Sequence, residues 1–265
     1  MKNLITLIVI GLISLSLTAT SANQDRKVSP FTSIENTCSI DVTIIQGDSY
    51  SLKVIAPDKY LKKIETKVVA STLIIDVKGN INSTEDFEVI VTVVKLNEIE
   101  LHGSGDAEIE GILEGESLSI VLHGSGDFEG NLNVKDLEVR LHGSGDAELS
   151  GVNGSLSVEQ HGSGDFEAND LHIGNSFFSM NGSGDIQVSG TAAMMELRQS
   201  GSGDFDGRSF KIKTAKVKKS SSGEADVYVT ENIDARLSGS GDLNLKGNAQ
   251  ATDFSVSGSG DINHL

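Results

Sequence analysis

The sequence predicts an all-β fold, a right-handed parallel β-helix wound at one coil per repeat of about 19–20 residues. Three observations predict it. The tetrapeptide Gly-Ser-Gly-Asp occurs eight times, with a ninth copy altered to Ser221-Ser-Gly-Glu224. The copies begin at Gly103, Gly124, Gly143, Gly162, Gly182, Gly201, Ser221, Gly239 and Gly258, at spacings of 21, 19, 19, 20, 19, 20, 18 and 19 residues. A period near twenty describes one supersecondary unit stacked on copies of itself. The second observation is parity. Ile99, Leu101, Gly103, Gly105, Ala107 and Ile109 share one parity, and Glu100, His102, Ser104, Asp106, Glu108 and Glu110 the other. That is a strand with one buried face. The third is volume. Phe128, Phe166 and Phe205 are each followed two residues later by Gly130, Ala168 or Gly207, whereas Ala107, Ala147 and Ala225 are followed by Ile109, Leu149 and Val227. Side chains sharing one packed layer trade size in this way, and a flexible Gly-Ser linker has no reason to.

Along the chain, residues 1–22 have the charge, apolar run (Ile5 to Leu17) and small-residue end of a secretory signal peptide. Residues 23–100 form a non-repetitive, β-rich cap or start of the solenoid, and residues 101–265 the nine repeats, one continuous domain with it. In the cap zone, Ser39–Ile45 and Tyr50–Ile55 alternate about Gln46-Gly-Asp48, a hairpin signature. Pro57–Ile64 suits a short helix, and Leu73–Val77 and Phe87–Val93 suit strands. Both prolines, Pro30 and Pro57, lie outside the repeats, as a stacked ladder requires. Within each repeat GSGD reads as a corner. Its second glycine, present in all nine copies, is expected to be the stricter, either taking positive φ or lying too close to the opposite wall for a Cβ. An open stack end exposes unpaired backbone, which offers end-to-end self-association.

Composition bounds the function. The net charge of −17 becomes −18 once Lys2 leaves with the leader, which argues against nucleic acid and anionic lipid as partners. The single cysteine, Cys38, cannot form an internal disulfide and is expected to be a small buried hydrophobe. No second apolar run is long enough to span a bilayer.

The outward parity stacks two acidic columns. One holds Asp106, Asp127, Asp146, Asp165, Asp185, Asp204, Asp242 and Asp261, with Glu224 in the altered copy; the other holds Glu108, Glu129, Glu148, Glu167, Asp206 and Asp226. The Asp column is the candidate cation site, Ca2+ being the ion considered, because hydroxyls and carbonyls beside it add oxygens. Diffuse attraction of cations and a structural role, with Asp accepting N–H bonds in its turn, are the alternatives. No other cofactor is expected. His102, His123, His142 and His161 form a third column, able to take zinc or copper or to serve as ordinary stacked polar groups. The acids follow the repeat rather than breaking it, and no catalytic motif is present, so a non-enzymatic protein is expected over a polysaccharide-active enzyme. Arg208–Lys219 is a basic patch, a docking spot or a solvated face.

The segment Phe31-Thr-Ser-Ile-Glu35, then Ile40-Asp-Val-Thr-Ile-Ile-Gln-Gly-Asp48, then the run of GSGD repeats resembles the family named putative auto-transporter adhesin, head GIN domain, over about Val28 to Leu265. The resemblance implies an exported bacterial β-helical domain, periplasmic, secreted or at the cell surface, and brings no catalytic residues. A structural or adhesin-like binding module of the envelope follows, with an envelope protein, glycan or surface ligand as partner and the acidic double column as its surface.

Overall fold

The computed structural model describes residues 21–265 except 82 and 84–86. The expected leader therefore lies outside the described residues, apart from its last two positions. Among the described residues no helix is long and apolar enough to cross a membrane. The chain forms a β-solenoid of about 9 turns, with 66% of residues in strands and 2% in helix.

The elements run β1 (Ser21–Arg26), β2 (Ser33–Asn36), β3 (Asp41–Gln46), β4 (Ser51–Pro57), α1 (Asp58–Leu61), β5 (Ile64–Val69), β6 (Thr72–Val77), β7 (Glu88–Val93) and β8 (Glu98–Leu101). Long bent strands follow, one to a coil: β9 (Ala107–Leu122), β10 (Phe128–Leu141), β11 (Ala147–Gln160), β12 (Phe166–Met180), β13 (Ile186–Gln199), β14 (Phe205–Lys219) and β15 (Ala225–Leu237). The last coils are β16 (Leu243–Lys246), β17 (Gln250–Val256) and β18 (Ile262–His264). From β9 to β15 each strand pairs in parallel with the next, then β15 with both β16 and β17, and β16 with β18; motif residues are in register, so that Phe128 faces Ala107 and Ala147, and Leu137 faces Leu118 and Leu156.

The inward parity is buried throughout. Phe128, Phe166 and Phe205 are at most 1% exposed. The trade in volume is a direct contact: a Cβ on Gly207 would lie 2.8 Å from Phe205 Cε1, and one on Gly130 would lie 3.2 Å from Phe128 Cζ. Size also alternates up the stack, since Phe128 lies between Ala107 and Ala147, and Ala147 between Phe128 and Phe166. Neighbouring rungs thus interdigitate at close-packed density.

The corner works differently from expectation. None of the GSGD glycines has positive φ. A Cβ on any of them would lie 1.7–2.3 Å from a carbonyl oxygen of the coil before it, not of the opposite wall. The first glycine is the tighter of the two, at 1.7 Å for Gly124 against 2.2 Å for Gly126. A glycine hydrogen fits there as a Cα–H···O contact, and a methyl does not. At the altered copy, Ser221 turns its hydroxyl inward to Lys219 Nζ at 2.8 Å. There the corner ladder has a gap: Ser202 N donates to Gly182 O and Ser240 N to Ser221 O, but Ser222 N makes no such bond among the described residues. Positive φ occurs instead at a second corner, five residues after the motif acid, at Gly111, Gly151, Asp170, Gly190 and Gly247. The segments expected to close the coil are therefore continuous with the strands, bent by these residues and by register shifts.

The N-terminal zone contains a coil of its own. β2 stacks on β8 and β3 on β9, so that Ile34 faces Ile99 and Val42 faces Ala107. The corner Asn36-Thr-Cys-Ser-Ile-Asp41 underlies Leu101-His-Gly-Ser-Gly-Asp106. Cys38 and Ile40 occupy the glycine positions, and their Cβ atoms are tolerated because a cavity of about 530 Å³, not another corner, lies against them. The Cys38 thiol is half-buried, and burial raises its pKa. The β3–β4 hairpin expected about Gln46-Gly-Asp48 does not form. β7 lies between the two, parallel to β3 and antiparallel to β4. β7 offers Val89, Val91 and Val93, all fully buried, as the next apolar rung, which a direct hairpin would displace. The stack ends where β4 covers β7 and β5 covers β6 in antiparallel fashion, with β1 outside β4. The β5–β6 hairpin turns at Ala70 and Ser71, both at positive φ (48° and 70°). The expected short helix is the single turn α1.

Candidate functional site

The Asp column is a hydrogen-bond ladder between coils. Asp41 Oδ1 accepts from Asp106 N at 3.0 Å, Asp106 Oδ1 from Asp127 N at 2.9 Å, Asp127 Oδ1 from Asp146 N at 2.8 Å and Asp146 Oδ1 from Asp165 N at 2.7 Å. It continues through Asp165 to Asp185, Asp185 to Asp204 and Asp204 to Glu224, and resumes from Asp242 to Asp261. Glu224, one methylene longer, forms no such bond to Asp242 among the described residues. One oxygen of each accepting aspartate is thereby committed to the backbone of the next corner and the other is not used in the ladder; at Asp242 that second oxygen accepts from Asn263 Nδ2 at 3.3 Å. Asp41 begins the ladder, and only its register reveals it.

The second acidic column lies two residues after the first, at the second position of each strand. Glu108, Glu129, Glu148 and Glu167 are in register on consecutive coils, continued by Gln187, Asp206 and Asp226. Glu108, Glu129 and Glu148 are exposed and have no partner among the described residues. Glu167 accepts from Asn169 Nδ2 at 2.8 Å. Asp206 is hydrogen-bonded to Arg208, which lowers its pKa and raises that of Arg208.

The four histidines stack. Ring centroids are 4.7 Å apart for His102–His123, 5.2 Å for His123–His142 and 5.3 Å for His142–His161, with planes within 12° of parallel. Burial, then the neighbouring His123 and His161, lower the pKa of His142. At one end of the column Glu100 Oε1 lies 3.1 Å from His102 Nε2 and 3.2 Å from His123 Nε2. Among the described residues this trio is the group whose ligand atoms converge closely enough for a metal ion.

Two features escaped the sequence reading. Inward positions just before the corner hold Asn36, Gln160, Gln199 and Lys219, each donating across the bend: Gln160 Nε2 to Gly164 O and Gln199 Nε2 to Gly203 O, both at 2.7 Å, and Lys219 Nζ to Gly223 O. Parity applied to these residues would have found them. Burial lowers the pKa of Lys219, against Asp204, Asp242 and Glu224, which raise it. The other feature is a groove of about 850 Å³ along the stack, whose lining includes Asn175, Phe177, Met194, Met195, Lys216 and Asp234. Its floor is lowered where Ser176 and Ala215 replace the leucine that Leu156 supplies two rungs before Met195. The basic patch borders it: Lys216 and Lys218 share register with Glu196 and Arg198 on one side and Asp234 and Arg236 on the other.

The sequence profile described as "Putative auto-transporter adhesin, head GIN domain" matches residues 30–188 and 177–249. No curated protein matches. Among solved structures, one described as a putative lipid binding protein from Parabacteroides distasonis is 25% identical with a TM-score of 0.65, covering 94% of this chain and 98% of its own. A putative adhesin from the same species is 20% identical with a TM-score of 0.68, covering 94% and 98%. Another from Parabacteroides merdae is 18% identical with a TM-score of 0.66, covering 94% and 97%. The two adhesin likenesses support the fold.

Proposed function

Since the chain belongs to the family described as "Putative auto-transporter adhesin, head GIN domain", we propose that it is an exported, non-enzymatic, adhesin-like binding module of the bacterial envelope that meets its partner through the glutamate column. The observation that carries this reading is the division of labour between the two acidic columns. The aspartates hold corner to corner. Glu108, Glu129 and Glu148 hold nothing among the described residues, yet stand in register at the strand spacing of about 4.8 Å, where each neighbouring pair repels by about 1 kcal/mol in water. A cationic surface on a protein or glycan relieves that repulsion, and attraction of this kind weakens with salt. The test is adhesion of the purified protein to polylysine-coated and native envelope surfaces. The triple variant Glu108→Gln, Glu129→Gln, Glu148→Gln is expected to lose binding while melting no lower than wild type, since it also removes the repulsion; retained binding refutes the reading. Calcium is the alternative partner of the acidic face, through the carboxylate oxygens of the Asp column that the ladder does not use. A melting curve unchanged by millimolar calcium removes that alternative.

The groove favours a second reading. Its volume and the exposed Met194, with Phe177 and Met195, suit an acyl chain, and a structural relative 25% identical is described as a putative lipid binding protein. Displacement of a fluorescent fatty acid from wild type but not from Met194→Glu would support it, and absence of uptake by either would end it.

A further inference from the structure

We propose that Glu100, His102 and His123 form a binding site for a divalent transition-metal cation, with zinc the best match and Glu35 as a fourth donor. The argument begins with spacing. A tetrahedral ion with bonds of about 2.0–2.1 Å separates its ligand atoms by about 3.3 Å. Glu100 Oε1 stands 3.1 Å from His102 Nε2 and 3.2 Å from His123 Nε2, so the carboxylate already sets two edges of such a tetrahedron. Glu35 is in register with Glu100 on the adjoining coil, and its Oε1 is 3.9 Å from His102 Nε2. Two imidazoles and two carboxylates are a donor set that suits zinc better than calcium, which takes oxygen alone.

The local charge supports the same end of the column. Glu35 and Glu100 have no lysine or arginine ion partner among the described residues. In the position that follows Glu100 up the stack is Val121, and the next residue, Arg140, is engaged by Glu138 and Glu159. His142 thus lies beside an arginine that engages the neighbouring glutamates, whereas His102 and His123 lie beside carboxylates with no such partner among the described residues. The site is therefore local, not a property of the whole histidine column. The rings of His102 and His123 are parallel to within 7° and must tilt toward each other to aim both Nε2 lone pairs at one ion. Their side chains are 38% and 37% exposed, so the rotation gives up ring stacking but displaces no fully buried group, and water can complete the shell.

The experiment is calorimetric titration of metal-stripped protein with zinc chloride. One ion per chain is expected. His123→Ser and Glu100→Gln are expected to weaken binding at least about tenfold, and His161→Ser to leave it unchanged. Serine is chosen because Ser200, Ser220 and Ser238 already occupy this column, and melting temperatures confirm that the variants fold. If His123→Ser fails to fold, Glu100→Gln decides. Absence of saturable uptake, unchanged affinity in Glu100→Gln, or equal losses in His161→Ser and His123→Ser would overturn the proposal.

Discussion

Replacing Gly145 by alanine tests the stacking of corners directly. Its Cβ would lie 2.0 Å from Gly126 O, where ordinary contact begins near 3.4 Å. The obstacle is backbone, so one coil must move away from the other by roughly 1.4 Å, the shortfall from contact distance. Three bonds join the coils at this corner: Ser144 N to Gly124 O at 2.9 Å, Asp146 N to Asp127 Oδ1 at 2.8 Å and Phe128 N to Asp146 O at 2.8 Å. A shift of that size lengthens each beyond hydrogen-bonding range. At about 0.5–1.5 kcal/mol net apiece the loss is about 1.5–4.5 kcal/mol. For a chain of this size that lowers the melting temperature by about 3–18 °C. Gly174 is the control, on the next coil. Its added Cβ would have Gly154 O as nearest neighbour at 3.5 Å, an ordinary contact, and its φ is not left-handed. Gly174→Ala should therefore stabilise by about 0.4–1 kcal/mol through the unfolded chain. Circular-dichroism melting of both variants reads the difference. A Gly145→Ala protein melting within about 2 °C of wild type, or a Gly174→Ala protein as damaged as Gly145→Ala, would refute the account of the corner.

Asp146→Ala should cost about 0.5–1.5 kcal/mol by removing the acceptor of Asp165 N, whereas Asp146→Asn, which keeps an oxygen there, should cost less; chemical denaturation distinguishes them. Lys219→Gln copies Gln199, which occupies the same register, and should raise the melting temperature by removing a buried charge while keeping the bond to Gly223 O. Because burial lowers the Lys219 pKa, the unfolded chain binds the proton more tightly, so stability should rise with pH from the lowered value up to the ordinary 10.5. Lys219→Gln should flatten that rise, and an unchanged pH profile would contradict it. Phe128→Ala should cost about 3–5 kcal/mol by opening a cavity. Adding Gly130→Leu should not rescue it, because a Cβ at 130 already meets Ile109 Cγ1 at 3.1 Å; recovered stability would show that rungs pack independently.

The sequence alone determined the coil and its faces. A period near twenty, strict alternation and the exchange of phenylalanine for glycine within a rung are consequences of local geometry and are written in local residues. They placed Phe128, Phe166 and Phe205 inside and the acids and histidines outside, in their columns. Tertiary structure decided what lies next to what. Asn36–Asp41 is a corner of the stack, but Cys38 and Ile40 hide it: the cavity against them removes the demand for glycine that makes the other corners recognisable. β7 takes the place beside β3 that the Gln46-Gly-Asp48 turn suggested for β4, because a parallel rung buries three valines there. The β5–β6 turn uses Ala70 and Ser71 at positive φ, where sequence reading looks for asparagine and glycine. The acidic columns look equivalent in sequence, and only the register separates aspartates bonded to the next corner from glutamates left free. Glu35 and Glu100 reach the same histidine from positions 65 residues apart, a proximity that comes from stacking and leaves no local trace.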